Sequence, residues 1–151
     1  MTPKIVIHGG AGSLEGTLHK ALEIQAALSE IVSESYQLLL KNNARMTVIH
    51  AVKCLEDNPL FNAGTGSKLQ RDGKIRMSAA IMDSNSEKFS GVINIQNVKN
   101  PIEIAEHLSD KKNSVLAGAR ATHFARKKGY VNYNPTTIDR SQEHEKKLIG
   151  D

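Results

Sequence analysis

The chain has 151 residues, a formal net charge of +4 and one cysteine, Cys54. This length suits a single hydrophobic core. The lack of an apolar run of about 18 residues argues against a membrane span, and the N-terminal apolar run is too short for a secretory signal. One cysteine excludes an internal disulfide framework and a cysteine zinc cluster, and it makes the reducing cytoplasm the expected location. The modest net charge does not favour nucleic-acid binding.

The first third of the chain predicts a strand and two helices. The apolar run at residues 4–8 is typical of a short buried strand, and a glycine-rich turn follows at residues 9–16. Apolar residues then recur at helical spacing over about residues 18–42, which predicts a long amphipathic helix. A second helix is predicted over about residues 46–55. Its expected buried side chains are Val48, Ile49, Val52 and Leu55.

The middle of the chain predicts strands. An Asp-Gly dipeptide within residues 71–74 is a strong hairpin signal between residues 67–70 and 74–83. Alternating apolar residues predict another strand over residues 88–98. The remaining predicted elements are a helix from Pro101 to about Ser109, a strand over residues 114–116 and a helix over residues 120–128. This order indicates a mixed αβ layer with antiparallel strand pairing.

The last part of the chain differs in character from the rest. Residues 130–151 are polar, contain Pro135 and show only weak helical periodicity. They are interpreted as an extended arm or mobile tail attached to a folded part, residues 1–129. The basic clusters Lys111-Lys112 and Arg126-Lys127-Lys128 are interpreted as solvated helix ends.

A glycine-rich turn is the first candidate site. Gly10, Gly12 and Gly16 follow a predicted strand and precede a predicted helix, where backbone N–H groups could approach a phosphate. The acidic residue that a dinucleotide fold places about 20 residues further on would here fall within a helix. A nucleotide-binding turn and a merely structural glycine turn are both left open.

Two polar positions outside that turn are candidate site residues. Asn62 lies in the turn-rich stretch 57–66 and could either bind a ligand or tie down its own backbone. His8 ends the first predicted strand beside the glycine turn, so it alone among the histidines is placed like a site residue, and a purely structural histidine is the open alternative. No pair of histidines shows metal-ligand spacing. Cys54 is expected to be a small buried hydrophobic residue.

Four stretches occur together in one order and carry a family resemblance. They are His8-Gly9-Gly10-Ala11-Gly12, residues 59–66 (PLFNAGTG), residues 77–83 (MSAAIMD), and Gly91-Val92 with Lys99-Asn100-Pro101-Ile102. Together they resemble the α subunit of plant-type L-asparaginases, also called isoaspartyl peptidases, which are threonine members of the N-terminal nucleophile (Ntn) hydrolases. The resemblance covers roughly residues 4–124.

The resemblance implies a two-chain hydrolase. In that family a precursor cuts itself just before a threonine, which then begins the β subunit. The sequence here stops at Gly150-Asp151, so it is interpreted as an α subunit released by autocleavage after Asp151. The implied fold is α+β, an αββα sandwich of which this chain is the α-subunit half. The implied assembly is (αβ)₂, hydrolysing L-asparagine and β-aspartyl dipeptides with no cofactor needed for the chemistry.

The resemblance also implies residue roles. His8, Gly9 and Gly10 match a loop beside the nucleophile, and Asn62 matches an active-site asparagine. A structural sodium ion is implied at backbone carbonyls, which suit a hard cation. Those carbonyls belong to Leu55, Glu56, Asn58, Phe61, Ala63 and Thr65.

Two positions depart from the family pattern. Many members have aspartate where this chain has Ser78, and many are cut after glycine rather than after an aspartate such as Asp151. Aspartate at the cleavage position resembles the related glycosylasparaginases. The alternatives are therefore a glycosylasparaginase-type amidohydrolase, a nucleotide-binding module that uses Gly10, Gly12 and Gly16, and a non-catalytic interaction domain.

Overall fold

The computed structural model describes residues 2–10 and 18–150. Its helices and strands in chain order are α1 (Leu18–Leu39), α2 (Ala44–Asp57), β1 (Met77–Asp83), β2 (Lys88–Ile95), α3 (Pro101–Glu106), β3 (Val115–Ala117), α4 (Gly118–Lys127) and α5 (Ile138–Gly150). They fall into two compact units, residues 1–55 and residues 56–151. No helix in the described ranges is long and apolar enough to cross a membrane.

The two helices predicted for the first unit are both present. The side-chain oxygen of Asn43 accepts a hydrogen bond from Met46 N at 2.9 Å, which caps the start of α2. Ile49 is buried as expected, but Val48 is 46% exposed, so its predicted burial is wrong. Neighbouring residues on a helix point about 100° apart, and Val48 therefore lies off the buried face that Ile49 occupies.

The strand predicted over residues 4–8 is not formed. Exposure alternates from Lys4 to His8, as in an extended segment, but none of these residues is buried, and Val6 is 93% exposed. A strand needs a neighbour to pair its N–H and C=O groups. Within the described part of the chain these residues pair with no strand, so the apolar pattern is present without the sheet.

The second unit is built on a three-stranded sheet in the order β1-β2-β3. β1 and β2 pair antiparallel, with Met82 opposite Phe89, which confirms the antiparallel expectation for this pair. β2 and β3 pair parallel, because α3 carries the chain across before β3 begins. In the predicted Asp-Gly hairpin only the turn is confirmed: Gln70 N donates to Lys74 O at 2.9 Å, but residues 67–70 form no strand.

One face of this sheet carries the core. The buried apolar side chains come from β1, β2, α3, α4 and the segments beside them, and are Ile75, Met77, Val92, Ile95, Val98, Ile104, Leu108, Ala121 and Ala125. Ser90 Oγ donates to Ala105 O at 2.8 Å and so ties β2 to α3. Helices therefore cover this face of the sheet completely enough to exclude water from it.

The other face of the sheet is open. Met82, Phe89, Ile93 and Val115 are all exposed, and they come from all three strands. Because side chains alternate between the faces of a sheet and Met82 is paired with Phe89, these residues form one apolar surface, here called the open face. Proteins rarely leave a continuous apolar surface open to solvent, so a surface of this kind usually marks a place where another chain or element binds.

The predicted extended arm is in part a helix. Residues 138–150 form α5, whose hydrophilic side chains hold it through ion pairs rather than through a buried stripe. The Glu143 carboxylate accepts from Lys147 Nζ at 2.9 Å and from Arg140 Nη1 at 2.7 Å, and it lies 3.1 Å from Lys68 Nζ. The weak periodicity did not reveal these contacts, so the extended interpretation is wrong for this stretch. The division of the chain after residue 129 stays a prediction.

Acid is expected to loosen α5. The pKa of Glu143 is lowered from 4.5 to about 2 by hydrogen bonds from cationic side chains, the largest effect coming from Lys147, then Arg140 and Lys68. A carboxyl whose pKa falls on folding stabilises the folded form above its unfolded pKa, and the stabilisation is lost as the pH falls from about 4.5 towards about 2. The protection of the α5 amides against hydrogen exchange, measured relative to an unfolded chain at the same pH, should therefore fall over this range in the wild type. In Glu143→Gln this protection should be low at both ends of the range, whereas Glu145→Gln, at an exposed position on the same helix, should behave as wild type.

Candidate functional site

A loop closed by its own backbone holds Asn62. The loop comprises residues 56–67 and is here called the Asn62 loop. Thr65 N donates to Glu56 O at 2.7 Å, which brings the two ends of the loop together. Gly64 has a φ of +52°, and a Cβ there would lie 2.2 Å from Glu56 O. Only glycine permits this approach, so the loop's closure depends on the Asn-Ala-Gly-Thr-Gly stretch.

The segment after residue 130 clamps the Asn62 loop from outside. Gly66 N donates to Pro135 O at 2.8 Å, and Arg140 Nε donates to Gly66 O at 2.6 Å. The hydroxyls of Thr65 and Tyr133 lie 2.9 Å apart. The three clamping residues, Tyr133, Pro135 and Arg140, were not identified from the sequence, because the polar composition of residues 130–151 predicts an extended arm or mobile tail.

Asn62 itself is exposed, with its two amide atoms in different roles. Its Oδ1 accepts a hydrogen bond from Lys68 N at 2.8 Å, so the side chain is held in one orientation. Its NH₂ group makes no hydrogen bond within the described residues. The predicted alternatives, ligand binding and tying the backbone, are therefore compatible in one side chain: the oxygen fixes the loop while the NH₂ remains a donor for a ligand.

A buried carboxyl lies at the base of the same loop. Glu56 is 3% exposed, its Oε1 accepts from Ile102 N at 3.0 Å, and its Oε2 has no partner among the described residues. Burial raises the pKa of Glu56 to about 8, so the carboxyl is mostly neutral at neutral pH. The sequence offered one signal for this residue: Glu56 follows Ile49 and Val52 at helical spacing on the apolar stripe of α2.

The neighbouring Asp57 fixes α3 by charge and hydrogen bonding. Its Oδ1 accepts from Asn100 Nδ2 at 3.0 Å and lies 3.0 Å from Lys99 Nζ. Asn100 and Pro101, which the resemblance had grouped together, thus start α3 at a place tied directly to the Asn62 loop.

The other candidate segment, residues 8–10, belongs to the first unit. Gly10 N donates to His8 Nδ1 at 3.2 Å, and Gly10 has a φ of +111°. The His8 ring is thus tied to the backbone two residues further on, and the site roles predicted for His8, Gly9 and Gly10 stay predictions. Gly12, Gly16 and Asp151 lie outside the described residues, so the expectations for them stay predictions.

Two of the backbone carbonyls that the resemblance implies as cation ligands, those of Glu56 and Asn58, keep hydrogen-bonding capacity to spare. The oxygens of Glu56 and Asn58 each accept one backbone hydrogen bond, from Thr65 N and from Phe61 N. A carbonyl oxygen has two lone pairs, so each retains one for a cation. A closed loop whose donors are carbonyl oxygens suits a hard ion such as Na⁺ rather than a thiophilic metal.

Three further expectations are corrected or refined by the structure. Ser78 Oγ accepts from Asn94 N at 3.2 Å, so at this departure from the family pattern the hydroxyl serves the sheet. Cys54 is half-buried against His50 rather than a core residue. Arg126 is more than a solvated helix end: it is partly buried, and its guanidinium donates to backbone carbonyls across the start of the C-terminal segment. Those acceptors are Asn97 O, Tyr130 O and Val131 O, at 2.5, 3.0 and 3.1 Å.

Arg126→Lys is expected to destabilise the protein by about 1–3 kcal/mol. A single ammonium group cannot replace a planar guanidinium that donates to several carbonyls at once, so some of those carbonyls lose their donor. Denaturant unfolding of the natively assembled protein measures the change. Lys127→Gln, an exposed neighbour on α4, is the control and should change stability by less than about 0.5 kcal/mol. Equal stability of Arg126→Lys and wild type would show that these contacts add nothing.

The fold is a mixed α/β chain, and its candidate site is the amide NH₂ group of Asn62. The loop that carries Asn62 is closed by its own backbone and held from outside by the C-terminal segment. The model of the Asparaginase_2 family, described as asparaginase, matches residues 1–149. The chain belongs to this family, which confirms the resemblance drawn from the motifs.

Curated relatives agree with the family match. An isoaspartyl peptidase/L-asparaginase of a Nostoc species is 48% identical over 93% of this chain and 45% of its own length. A plant-type L-asparaginase of Pyrococcus furiosus is 44% identical over 96% of this chain and 48% of its own. An isoaspartyl peptidase of Salmonella typhimurium is 33% identical over 97% and 48%. The chain thus spans about half the length of the curated relatives it matches.

Proposed function

We propose that this chain is the α subunit of a cytoplasmic isoaspartyl peptidase/L-asparaginase that hydrolyses L-asparagine and β-aspartyl dipeptides. The observation that carries the proposal is Asn62, whose oxygen is fixed by Lys68 N while its NH₂ group stays available. Relatives named for these activities share the family. Their names favour this reading over the alternative of a glycosylasparaginase acting on a glycan-linked asparagine.

The exposed apolar side chains of the open face support the proposal that a second chain packs against this sheet. Met82, Phe89, Ile93 and Val115 expose apolar side chains on a sheet whose other face is fully packed. A second sheet from a β subunit would cover them and complete an αββα sandwich. The chain's half-length match to its relatives agrees with this arrangement. We further propose that two such αβ units form an (αβ)₂ enzyme.

In this proposal the nucleophile belongs to the partner chain. In the proposed reaction an N-terminal threonine hydroxyl attacks the side-chain amide carbon of the substrate, and ammonia or an amine leaves as an acyl-enzyme forms. Water then releases aspartate. A threonine hydroxyl is a weak nucleophile and needs a base. The free α-amino group of that threonine has a pKa of about 7.7–8.0 and can take the proton at neutral pH.

Autocleavage creates that base. Before the cut, the threonine nitrogen is an amide and cannot accept a proton at neutral pH. Cleavage after Asp151 would free the amine and the nucleophile together. We assign His8, Gly9 and Gly10 to the wall beside this threonine, where glycines allow the backbone to approach closely. Asn62 would donate its NH₂ group to the reacting centre.

The proposed sodium ion has a structural task only. The carbonyls of the Asn62 loop would hold it, together with that of Leu55. The bound cation would stiffen the loop that presents Asn62, and no chemical step passes through it. The nucleotide-binding alternative depends on Gly12 and Gly16, which lie outside the described residues, and stays a prediction.

Asn62→Asp tests the role of the donor without removing the loop contact. Aspartate keeps the oxygen that accepts from Lys68 N and loses the NH₂ group. Turnover of L-asparagine by the mature two-chain enzyme is expected to fall about 10²–10³-fold, the usual cost of losing one such donor. Asn62→Ala should lose at least as much, and Asn113→Ala, an exposed asparagine elsewhere, should match wild type. Near-normal maturation and turnover in Asn62→Asp would show that Asn62 is not part of the active site.

A further inference from the structure

Three metal-ligating side chains meet in the first unit, away from the Asn62 loop. They are Glu34 of α1 and His50 and Cys54 of α2, and their ligand atoms all lie within 4.8 Å of one another. His50 Nε2 lies 3.1 Å from Glu34 Oε1 and 3.5 Å from Cys54 Sγ. One imidazole nitrogen therefore faces both a carboxylate and a sulfur.

The helices explain why these side chains converge. His50 and Cys54 are four residues apart on α2, a spacing that places both on one side of the helix. Glu34 lies 16 residues before His50, on α1, and reaches across from the neighbouring helix. The cluster thus joins two helices, and its sequence spacing gave no signal because Glu34 is far from the pair in the chain.

The donor set and its dimensions match a zinc ion. Zn²⁺ is bound in proteins by cysteine sulfur, histidine nitrogen and carboxylate oxygen, at about 2.0–2.3 Å and in tetrahedral geometry. Those bond lengths place neighbouring ligand atoms about 3.4 Å apart for N and O and about 3.6 Å apart for S and N. The separations here, 3.1 and 3.5 Å, are close to those edges of a tetrahedron.

The cluster is also accessible. The side chain of Glu34 is 61% exposed and that of His50 is 33% exposed, while Cys54 is half-buried. A metal ion could enter from solvent, and a water molecule could occupy the fourth position. Among the described residues this is the one place where three such groups meet.

We propose that Glu34, His50 and Cys54 form a Zn²⁺ site that links α1 to α2. Cys54 binds as thiolate and releases its proton to solvent, His50 binds through Nε2 and Glu34 through Oε1. The bound ion stabilises the pair of helices, because it binds the folded arrangement and not the separated side chains of the unfolded chain. This site is independent of the proposed hydrolase activity.

Zinc titration of the mature enzyme tests the site. The protein is produced from its full-length precursor, stripped with a chelator and titrated with ZnCl₂ by calorimetry. Wild type should bind one more Zn²⁺ per α chain than His50→Gln does. Glu34→Gln changes an exposed position and should not disturb folding, but it should weaken zinc binding at this site by at least about tenfold. Mutation of residues that only hydrogen-bond to a metal ligand already lowers metal affinity by about 10–100-fold. His19→Gln is the matched control, because His19 pairs with Glu23 at 3.0 Å without a cysteine nearby.

Cobalt gives a readout specific to sulfur. Co²⁺ in place of Zn²⁺ should show a thiolate-to-metal charge-transfer absorption in wild type and in His19→Gln, and Cys54→Ser should abolish it. Equal zinc stoichiometry in wild type and His50→Gln would overturn the proposal. So would a cobalt spectrum that lacks the thiolate band in wild type or is unchanged by Cys54→Ser.

Discussion

Gly64→Ala is expected to destabilise the protein by about 3 kcal/mol or more and to stop maturation. The new methyl group would lie 2.2 Å from Glu56 O and 2.6 Å from Glu56 Cβ. Atoms this close overlap, so the backbone would have to move to separate them. The strain of a non-glycine residue at positive φ, about 1–2 kcal/mol, adds to this overpacking. The closing bond from Thr65 N to Glu56 O would be lost with it, and Asn62 would lose its fixed position.

Gly118→Ala is the matched control for this substitution. Gly118 has a φ of +53°, nearly that of Gly64, but an added Cβ there meets no atom within 4 Å. It should therefore show the φ strain alone, about 1–2 kcal/mol. Denaturant midpoints of the natively produced proteins measure both costs. Equal losses at the two glycines would mean that the contact with Glu56 does not limit the loop.

Glu56→Ala is expected to cost about 3–5 kcal/mol, whereas Glu56→Gln should cost far less. Alanine leaves Ile102 N buried without an acceptor and opens a cavity under the loop. Glutamine keeps an oxygen for Ile102 N and resembles the neutral carboxyl that burial favours at this position. Thermal or denaturant unfolding at neutral pH distinguishes the two variants.

The control for this comparison is Glu30→Ala, at an exposed position of α1. It should change stability by less than about 0.5 kcal/mol. The account of Glu56 would be contradicted if glutamine were as destabilising as alanine, since the carboxylate would then be needed in its charged form.

Local patterns predicted the elements that depend on local contacts. Helical spacing located α1 and α2, and Pro101 marked the start of α3. The apolar run at residues 4–8 predicted a buried strand that is not formed, because strand pairing depends on a partner that no local pattern reveals.

The sequence indicated Asn62 as a candidate site residue but did not indicate the residues that support its loop. The Asn-Ala-Gly-Thr-Gly stretch identified Asn62 through a family resemblance. Tyr133, Pro135 and Arg140 contact the loop from 68 to 74 residues away in the chain, and the segment that holds them has the composition of an ordinary polar tail. Glu56 was missed for another reason: a carboxyl on a helix is normally solvated, and only its position on the apolar stripe indicates burial.

Intact-mass measurement of the natively purified protein, expressed from its full-length precursor, tests the central claim most directly. The account predicts a 16.5 kDa chain ending at Asp151 that co-purifies with a second chain, and N-terminal sequencing of that second chain should begin at threonine. Asparaginase activity should appear together with the cut. An uncleaved single chain with full activity, or a well-folded 16.5 kDa chain with no partner, would contradict it.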